Sequence, residues 1–377
     1  MSAVTLMRSA VSQTNEGRSQ RQIGERWVRA LSLVAVTVAT WMLCTLMGGT
    51  WMFVGRNMHP HEALVEVDPI SLAYVFLALF ASLLLVPSLL GLLTQAARAN
   101  LGGREEHLAV LRLIGATAGE VRGMMILESL RQALVGLVLG SVLYVVTCPA
   151  WSLLTFQEKR VGTWEIFTWW VIPAAWIVVL VLAACSVWLA LRRVAVTPLG
   201  VTKKIPPKGQ SWVTLALSVV GAVLLYRYLS SLTIAPEADA LEFVPVLVVA
   251  GGILTVNALI AVGIIQLLAR LSYRVPGAAN YVATRRVGRG ARTTWKRVTA
   301  LYFVAFIGSY GTWVSAIPSF EEDPVIKMIT GDIPSGVVIT VVFAAVLMVS
   351  STLLTQVLSV VEQKQLTKSF YFIGAPA

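Results

Sequence analysis

The chain contains one stretch twice: Leu92-Leu93-Thr94-Gln95 with Leu113-Ile114-Gly115-Ala116-Thr117 returns as Leu353-Leu354-Thr355-Gln356 with Phe372-Ile373-Gly374-Ala375-Pro376. Each copy begins at the end of a long apolar run and continues into a charged segment. A second pair of similar segments, 27–31 and 295–299, opens an apolar stretch upstream of each copy. The repetition predicts a duplicated membrane unit with two matched docking points on one face.

The composition predicts a membrane protein. The 377 residues are 57% hydrophobic and only 13% charged, whereas soluble domains carry about 25% charged residues. A membrane-spanning helix needs about 20 apolar residues. Eight runs free of charged residues meet this requirement, with 209–226 the shortest: 30–55, 69–97, 132–157, 166–191, 209–226, 243–269, 298–320 and 333–361. We therefore predict an all-α polytopic membrane protein with eight transmembrane helices in this chain.

The distribution of charge predicts the orientation of these helices. If the N-terminus lies inside and the spans alternate, the inner segments hold 25 of the 30 Lys and Arg residues, and the outer segments hold 12 of the 19 acids. Such asymmetry is the positive-inside rule. It predicts a multi-pass protein of the bacterial plasma (inner) membrane with a cytoplasmic N-terminus. The net charge of +11 is thereby explained without a nucleic-acid partner.

The order of the runs predicts five regions along the chain. They are a cytoplasmic N-terminal segment at 1–26, a first four-helix unit at 27–193, a cytoplasmic linker at 194–210, a central two-helix pair at 211–272 and a second unit at 273–377. The chain stops inside the second copy of the repeated segment. We therefore expect either a fragment that lacks two further spans or a degenerate repeat.

The inner segment 104–117 is the first candidate docking site. Leu108, Leu111 and Ile114 recur at helical spacing with charges between them, which predicts an amphipathic helix on the inner surface. The alternative is an ordinary connecting helix, which the duplication disfavours because a mere connector need not recur. Just beyond this segment, Glu128 and Arg131 lie one helical turn apart and could brace the third span.

At this segment the chain resembles a known family. Residues 104–117, followed by Glu128, Gly136 and Gly140, are similar to the FtsX-like permease family, the MacB type of ATP-binding-cassette transporter. Residues 192–199 and 280–286 resemble further segments of that family. The resemblance implies two FtsX-like four-span units around a central pair, ten spans when complete. This chain departs from it, because no large extracellular domain separates its first two spans and the last two spans are absent.

The resemblance also implies a separate ATPase partner that docks on 104–117. The residues that we expect to carry this contact are Arg104, Glu105, Leu111, Ile114, Gly115 and Ala116, with a weaker contact at Gly374. The second copy has Glu362, Lys364 and Lys368 in place of the first copy's Arg-Glu-Glu cluster, so we expect the two contacts to be unequal.

The sequence predicts that this chain is not itself an enzyme. It contains no Gly-x-x-x-x-Gly-Lys-Ser/Thr loop, so ATP and magnesium would be bound by the partner. We expect no cofactor or metal here. The expected partners are two copies of an ABC-type ATPase and the lipid bilayer, with a further permease chain as an open alternative. The predicted function is export or extraction of a hydrophobic or amphiphilic substrate, or mechanical transmission across the membrane.

Two alternatives to this function remain open at the level of sequence. The first is an ion-coupled secondary transporter, which places Asp, Glu or His inside its spans. The eight apolar runs contain none, and this disfavours ion coupling. The second is a signalling scaffold of the FtsX type without a transported substrate, which the sequence does not separate from a transporter.

Overall fold

The protein is a bundle of long helices in the computed structural model. The structure describes residues 3–60, 70–99, 118–194, 211–231, 244–272 and 274–292, single residues between 294 and 309, and residues 324–372. The helices are α1 (Ala3–Met58), α2 (Ile70–Ala99), α3 (Ala118–Thr147), α4 (Thr163–Ile166), α5 (Val171–Val194), α6 (Trp212–Ser231), α7 (Val244–Ser272), α8 (Ala278–Arg289) and α9 (Pro324–Phe372). A 3₁₀ helix (Cys148–Leu153) and the strands β1 (Thr155–Phe156) and β2 (Lys159–Arg160) lie between α3 and α4.

Five of the described helices are long and apolar enough to cross a membrane. Their spanning portions are Arg26–Met58, Leu72–Ala97, Ile126–Leu153, Gly251–Ser272 and Gly331–Val360. Shorter apolar helices at Val171–Ser186 and Trp212–Tyr228 match two more of the predicted runs. The remaining run, 298–320, and the linker 194–210 lie largely outside the described residues. The all-α membrane class is thus confirmed, while the count of eight spans stays a prediction.

Helix α1 is the centre of the bundle. It packs against α2, α3, α5 and α9, and it carries fully buried residues along its length, among them Ala39, Met42 and Cys44. Its neighbours contribute Leu92 of α2, Tyr144 of α3, Val171 of α5 and Leu354 of α9 to the same core. Four of these helices come from the predicted first unit. The fifth, α9, comes from the predicted second unit, so helices from both predicted units contribute to one core.

Two glycines bring α1 and α3 into close contact. A Cβ at Gly136 would lie 2.7 Å from Cγ1 of Val36, and a Cβ at Gly140 would lie 2.6 Å from Cβ of Thr40. The spacing is the small-xxx-small pattern that allows helix backbones to approach within a membrane. Lipid tails are as apolar as the side chains, so this close packing must hold the two helices together.

Helices α6 and α7 lie within the predicted central pair, 211–272, whose role as a separate region stays a prediction. The two helices pack against each other, and α7 also contacts α2. Gly251 of α7 faces the side chain of Leu83 on α2. The amide of Asn280 in α8 donates to the carbonyls of Ser272, the last residue of α7, and of Val275 in the turn that follows.

Candidate functional site at the cap end

The predicted docking segment lies outside the described residues. This applies to Arg104, Glu105, Leu111, Ile114, Gly115 and Ala116, and equally to Gly374. The ends of α2 at Ala99 and of α3 at Ala118 flank the segment. The predicted braces Glu128 and Arg131 both lie on α3 and are exposed. Their proposed mutual pairing therefore stays a prediction.

A small structured cap closes the end of the bundle between α3 and α5. Residues 148–166, here called the cap, contain the 3₁₀ helix, the hairpin of β1 and β2, and α4. Thr155 pairs with Arg160 and Phe156 with Lys159.

The two turn residues of the hairpin, Gln157 and Glu158, have φ of 57° and 59°. Positive φ at both positions defines a turn that normally takes Asn and Gly, so this turn carries backbone strain that its surroundings must hold.

Arg56 at the end of α1 fastens the cap. Its side chain is buried and lies 2.6 Å from Oε2 of Glu165. Its Nη1 donates to the carbonyl of Phe156 at 2.7 Å, and its Nη2 donates to the carbonyl of Arg160 at 3.2 Å. One guanidinium thus binds both strands of the hairpin and the carboxylate of α4. The planar fork of arginine suits such multiple contacts, which a lysine would not reproduce.

The carboxylate of Glu165 is held in its charged form. Partial burial alone would raise its pKa, but hydrogen bonds from Lys159 and Arg56, together with the charge of Arg56, lower the pKa to about 2. Lys159 Nζ lies 2.7 Å from Oε1 of Glu165 and is nearly half exposed. The buried Arg56 is therefore the structural partner, and Lys159 screens the carboxylate from the solvent side.

A second polar contact joins the cap to α2 and α9. The hydroxyl of Tyr74 donates to Oδ2 of Asp332 at 2.7 Å, and the backbone N–H of Gln157 donates to the same oxygen at 2.7 Å. Asp332 therefore links α9, α2 and the strained turn. It lies one residue before the predicted charge-free run 333–361 but inside the apolar helix Gly331–Val360. The run 333–361 itself remains free of charged residues.

Beneath the cap lies an elongated cavity of about 200 Å³. Its described walls come from α1, α2 and α9, and the cap residues Trp151, Phe156, Val161 and Ile166 line one side. Asp332 and Tyr74 lie at the end beside the turn at Gln157. Phe343 lies deeper in the bundle, where its ring packs against that of Trp151. No local sequence pattern signals this cavity, because its walls come from helices far apart in the chain. It offers an apolar chamber with one polar end.

The structure also settles how the predicted outer segments are grouped. Arg56, the cap and Asp332 come from three segments that the charge pattern assigns to the outer side, and all three meet at one end of the bundle. The end of α2 that leads into 100–117 lies at the opposite end. Trp164 and Trp169 of the cap region are 82% and 75% exposed, as expected for aromatic side chains at a membrane surface.

The region that forms this site is similar to a known protein family. Neither a curated protein nor a solved structure gives a significant match to the chain. Residues 75–199 match the family model described as FtsX-like permease C-terminal. The match covers nearly all of α2, the predicted docking segment, α3, the cap and α5. The resemblance of the sequence to the FtsX-like permease family is therefore confirmed over residues 75–199, about a third of the chain, while the MacB type stays a prediction.

Proposed function

We propose that this chain is the transmembrane subunit of an ATP-binding-cassette complex in a bacterial plasma membrane, driven by a separate ATPase. The observation that carries the proposal is the FtsX-like permease match over residues 75–199, on a chain with five helices able to cross a membrane. Members of this family are membrane subunits that partner an ABC ATPase. Two ATPase copies suit the two copies of the repeated segment.

Helix α2 is the element that connects ATPase docking with the cap end. It runs for 30 residues from Ile70 to Ala99, a length of about 45 Å at 1.5 Å per residue. Its first half lines the cavity and bonds Asp332 through Tyr74, and its last residue, Ala99, lies five positions before the predicted docking segment 104–117. A displacement of that segment would therefore reach the cavity along one helix. Pro87 lies inside α2 between the two regions and lowers the resistance to bending there.

Helix α9 has the same relation to the second copy of the repeat. Its start provides Asp332 and the opposite cavity wall, and its end at Phe372 adjoins the segment of Gly374. The cavity is thus bounded by the two helices that lead to the two proposed docking points. Movement of those helices relative to each other would change its volume, a shear type of transition. Export or extraction of an amphiphilic substrate is the activity that this arrangement favours.

The experiment is co-purification of the chain with its ABC ATPase partner, sought first in the neighbouring open reading frame, using wild type, Gly115→Trp and Gly374→Trp. We expect Gly115→Trp to remove the ATPase and its stimulated ATP hydrolysis, because the bulky indole blocks close approach of the partner. Gly374→Trp should weaken the complex less. Retention of each variant as a monodisperse membrane protein is the folding control.

Three outcomes decide the assignment. Loss of the ATPase in Gly374→Trp with retention in Gly115→Trp overturns the choice of 104–117 as the principal contact. Equal loss in both variants contradicts the expected inequality of the two docking points. Retention of fully stimulated hydrolysis in both variants contradicts ATPase docking at either copy of the repeat.

A further inference from the structure

The shape of the cavity limits what it can hold. On α9 the lining runs from Asp332 to Phe343, eleven residues that rise about 16 Å along a helix. The volume of about 200 Å³ exceeds that of an apolar cavity of roughly 150 Å³ that holds benzene. It is smaller than the roughly 300–1,000 Å³ of pockets that enclose a whole drug-sized ligand. A long, narrow space of this volume suits one alkyl chain.

The walls offer an alkyl chain few competing polar groups. The hydroxyls of Thr45, Thr50 and Thr340 each donate to a carbonyl four residues earlier in their own helix. Most of the other described lining residues are aliphatic or aromatic. Apolar surface of this kind favours a guest that is itself apolar.

The polar end of the cavity has a defined charge. Asp332 is the carboxylate among the described lining residues, and that part of the lining contains no Lys or Arg. The described contacts of Asp332 are the two donors to its Oδ2, the phenol of Tyr74 and the N–H of Gln157. A carboxylate has two oxygens and room for about four hydrogen bonds, so acceptor capacity remains at this end.

From this arrangement we propose that the cavity binds a single-chain cationic amphiphile, with its alkyl chain between α1, α2 and α9 and its ammonium group at Asp332. An opposite charge within hydrogen-bonding distance of a partly desolvated carboxylate is favourable, whereas an anionic head there is repelled. The proposal names the substrate class of the transporter and rests on the proposed function for that role. Binding itself is tested without the ATPase, so the two proposals fail separately.

Two glycines allow the cavity to be filled without disturbing its walls. Gly336 of α9 and Gly49 of α1 both line the cavity, and a Cβ built on either meets no atom within 4 Å. Leucine at either position would therefore occupy cavity space. Gly91 of α2 is equally open but does not belong to the lining. Gly91→Leu is accordingly the matched control for the same substitution in a membrane helix.

The experiment is photolabelling of the purified full chain in nanodiscs of zwitterionic lipid. The probe is dodecylamine with a diazirine in its chain, and the comparison probes are dodecanol and dodecanoic acid with the same diazirine. Labelled peptides are identified by mass spectrometry. For wild type and Gly91→Leu we expect amine labelling on the α1 and α9 walls, at least about tenfold above the acid, which corresponds to about 1.4 kcal/mol.

Different variants test binding of the alkyl chain and binding of the ammonium head group. Gly336→Leu and Gly49→Leu should each reduce labelling of the walls by amine and alcohol about tenfold or more. Asp332→Asn keeps an acceptor for Tyr74 and Gln157, and it should remove the preference for the amine while the alcohol still labels. Wild-type labelling in both leucine variants would overturn the cavity as the site. Equal labelling by amine and acid in the wild type would overturn the assignment of the head group.

Discussion

The side chain of Gln95 on α2 accepts a hydrogen bond from Thr355 on α9, with 3.0 Å between Oε1 and Oγ1. Ser351, one turn earlier on α9, donates to the same oxygen at 3.2 Å. Gln95 and Thr355 belong to the two copies of the Leu-Leu-Thr-Gln segment that the sequence repeats. The two copies therefore contact each other inside the bundle, just before the two proposed docking segments.

We predict that Gln95 and Thr355 are energetically coupled. In a double-mutant cycle of Gln95→Leu and Thr355→Val, the interaction energy should be about 0.6 kcal/mol and at most about 1.7 kcal/mol, the range for hydrogen bonds between membrane helices. The hydroxyl of Thr355 also donates to the carbonyl of Ser351, 2.8 Å away. Because its one proton is divided between two acceptors, we expect an interaction energy nearer to about 0.6 kcal/mol. Reversible unfolding in mixed micelles provides the measurement.

The control for this cycle is Thr94→Val. The hydroxyl of Thr94 donates to the carbonyl of Gly91 in its own helix, so its removal should add to the effect of Thr355→Val without coupling. Coupling as large for Thr94 as for Gln95 would refute a specific contact between the repeats.

We predict that Arg56 holds the cap and that Lys159 does not. Arg56→Ala removes a buried guanidinium and leaves the Phe156 and Arg160 carbonyls and Glu165 without it. Loss of one partner of a buried pair costs about 3 kcal/mol or more. Lys159→Ala removes an exposed partner of the same carboxylate and should cost less than about 1 kcal/mol. Thermal unfolding of the two variants measures which loses more stability. Equal losses of stability in Arg56→Ala and Lys159→Ala would disprove the role of Arg56.

Stability of the cap should depend on pH through Glu165. The pKa of this group is lowered in the folded protein to about 2 from an ordinary value of 4.5. A lowered folded-state pKa contributes stability that is complete above the unfolded value. We therefore expect this contribution to be lost progressively as the pH falls from about 4.5 to about 2. The unfolding temperature of Glu165→Gln should change less over this window than that of wild type, and parallel curves would contradict the assignment.

The membrane-spanning helices can be predicted from the sequence because one property, the length of an apolar run, is enough to indicate each of them. The runs 69–97 and 243–269 correspond to α2 (Ile70–Ala99) and α7 (Val244–Ser272) within a few residues. A span must satisfy its backbone hydrogen bonds internally once it lies in lipid. An apolar stretch of sufficient length is therefore enough to predict a helix, without knowledge of its neighbours.

The cap and the cavity depend on contacts between distant segments, and no local pattern predicts them. Arg56 binds residues about 100 positions away, and Asp332 binds a tyrosine 258 positions away. The turn at Gln157 and Glu158 lacks the Asn-Gly pair that normally announces positive φ. The docking residues were predicted from a repeated pattern and a family resemblance. That part of the prediction stays open, because those residues lie outside the described structure.

The close packing of α1 and α3 depends on the glycines of α3. Gly140→Ala should destabilise the bundle by about 1–3 kcal/mol, the usual cost of forcing extra volume into a packed interface. The new Cβ would lie 2.6 Å from Cβ of Thr40 and 2.7 Å from the carbonyl oxygen of Thr37. The helices must therefore separate, because a backbone carbonyl does not move aside as a flexible side chain would. Gly123→Ala on the same helix is the control, since a Cβ there meets nothing within 4 Å and alanine favours the helix. Unfolding of both variants in the same detergent decides the matter: if Gly140→Ala is as stable as Gly123→Ala, the close approach of α1 and α3 at this position is wrong.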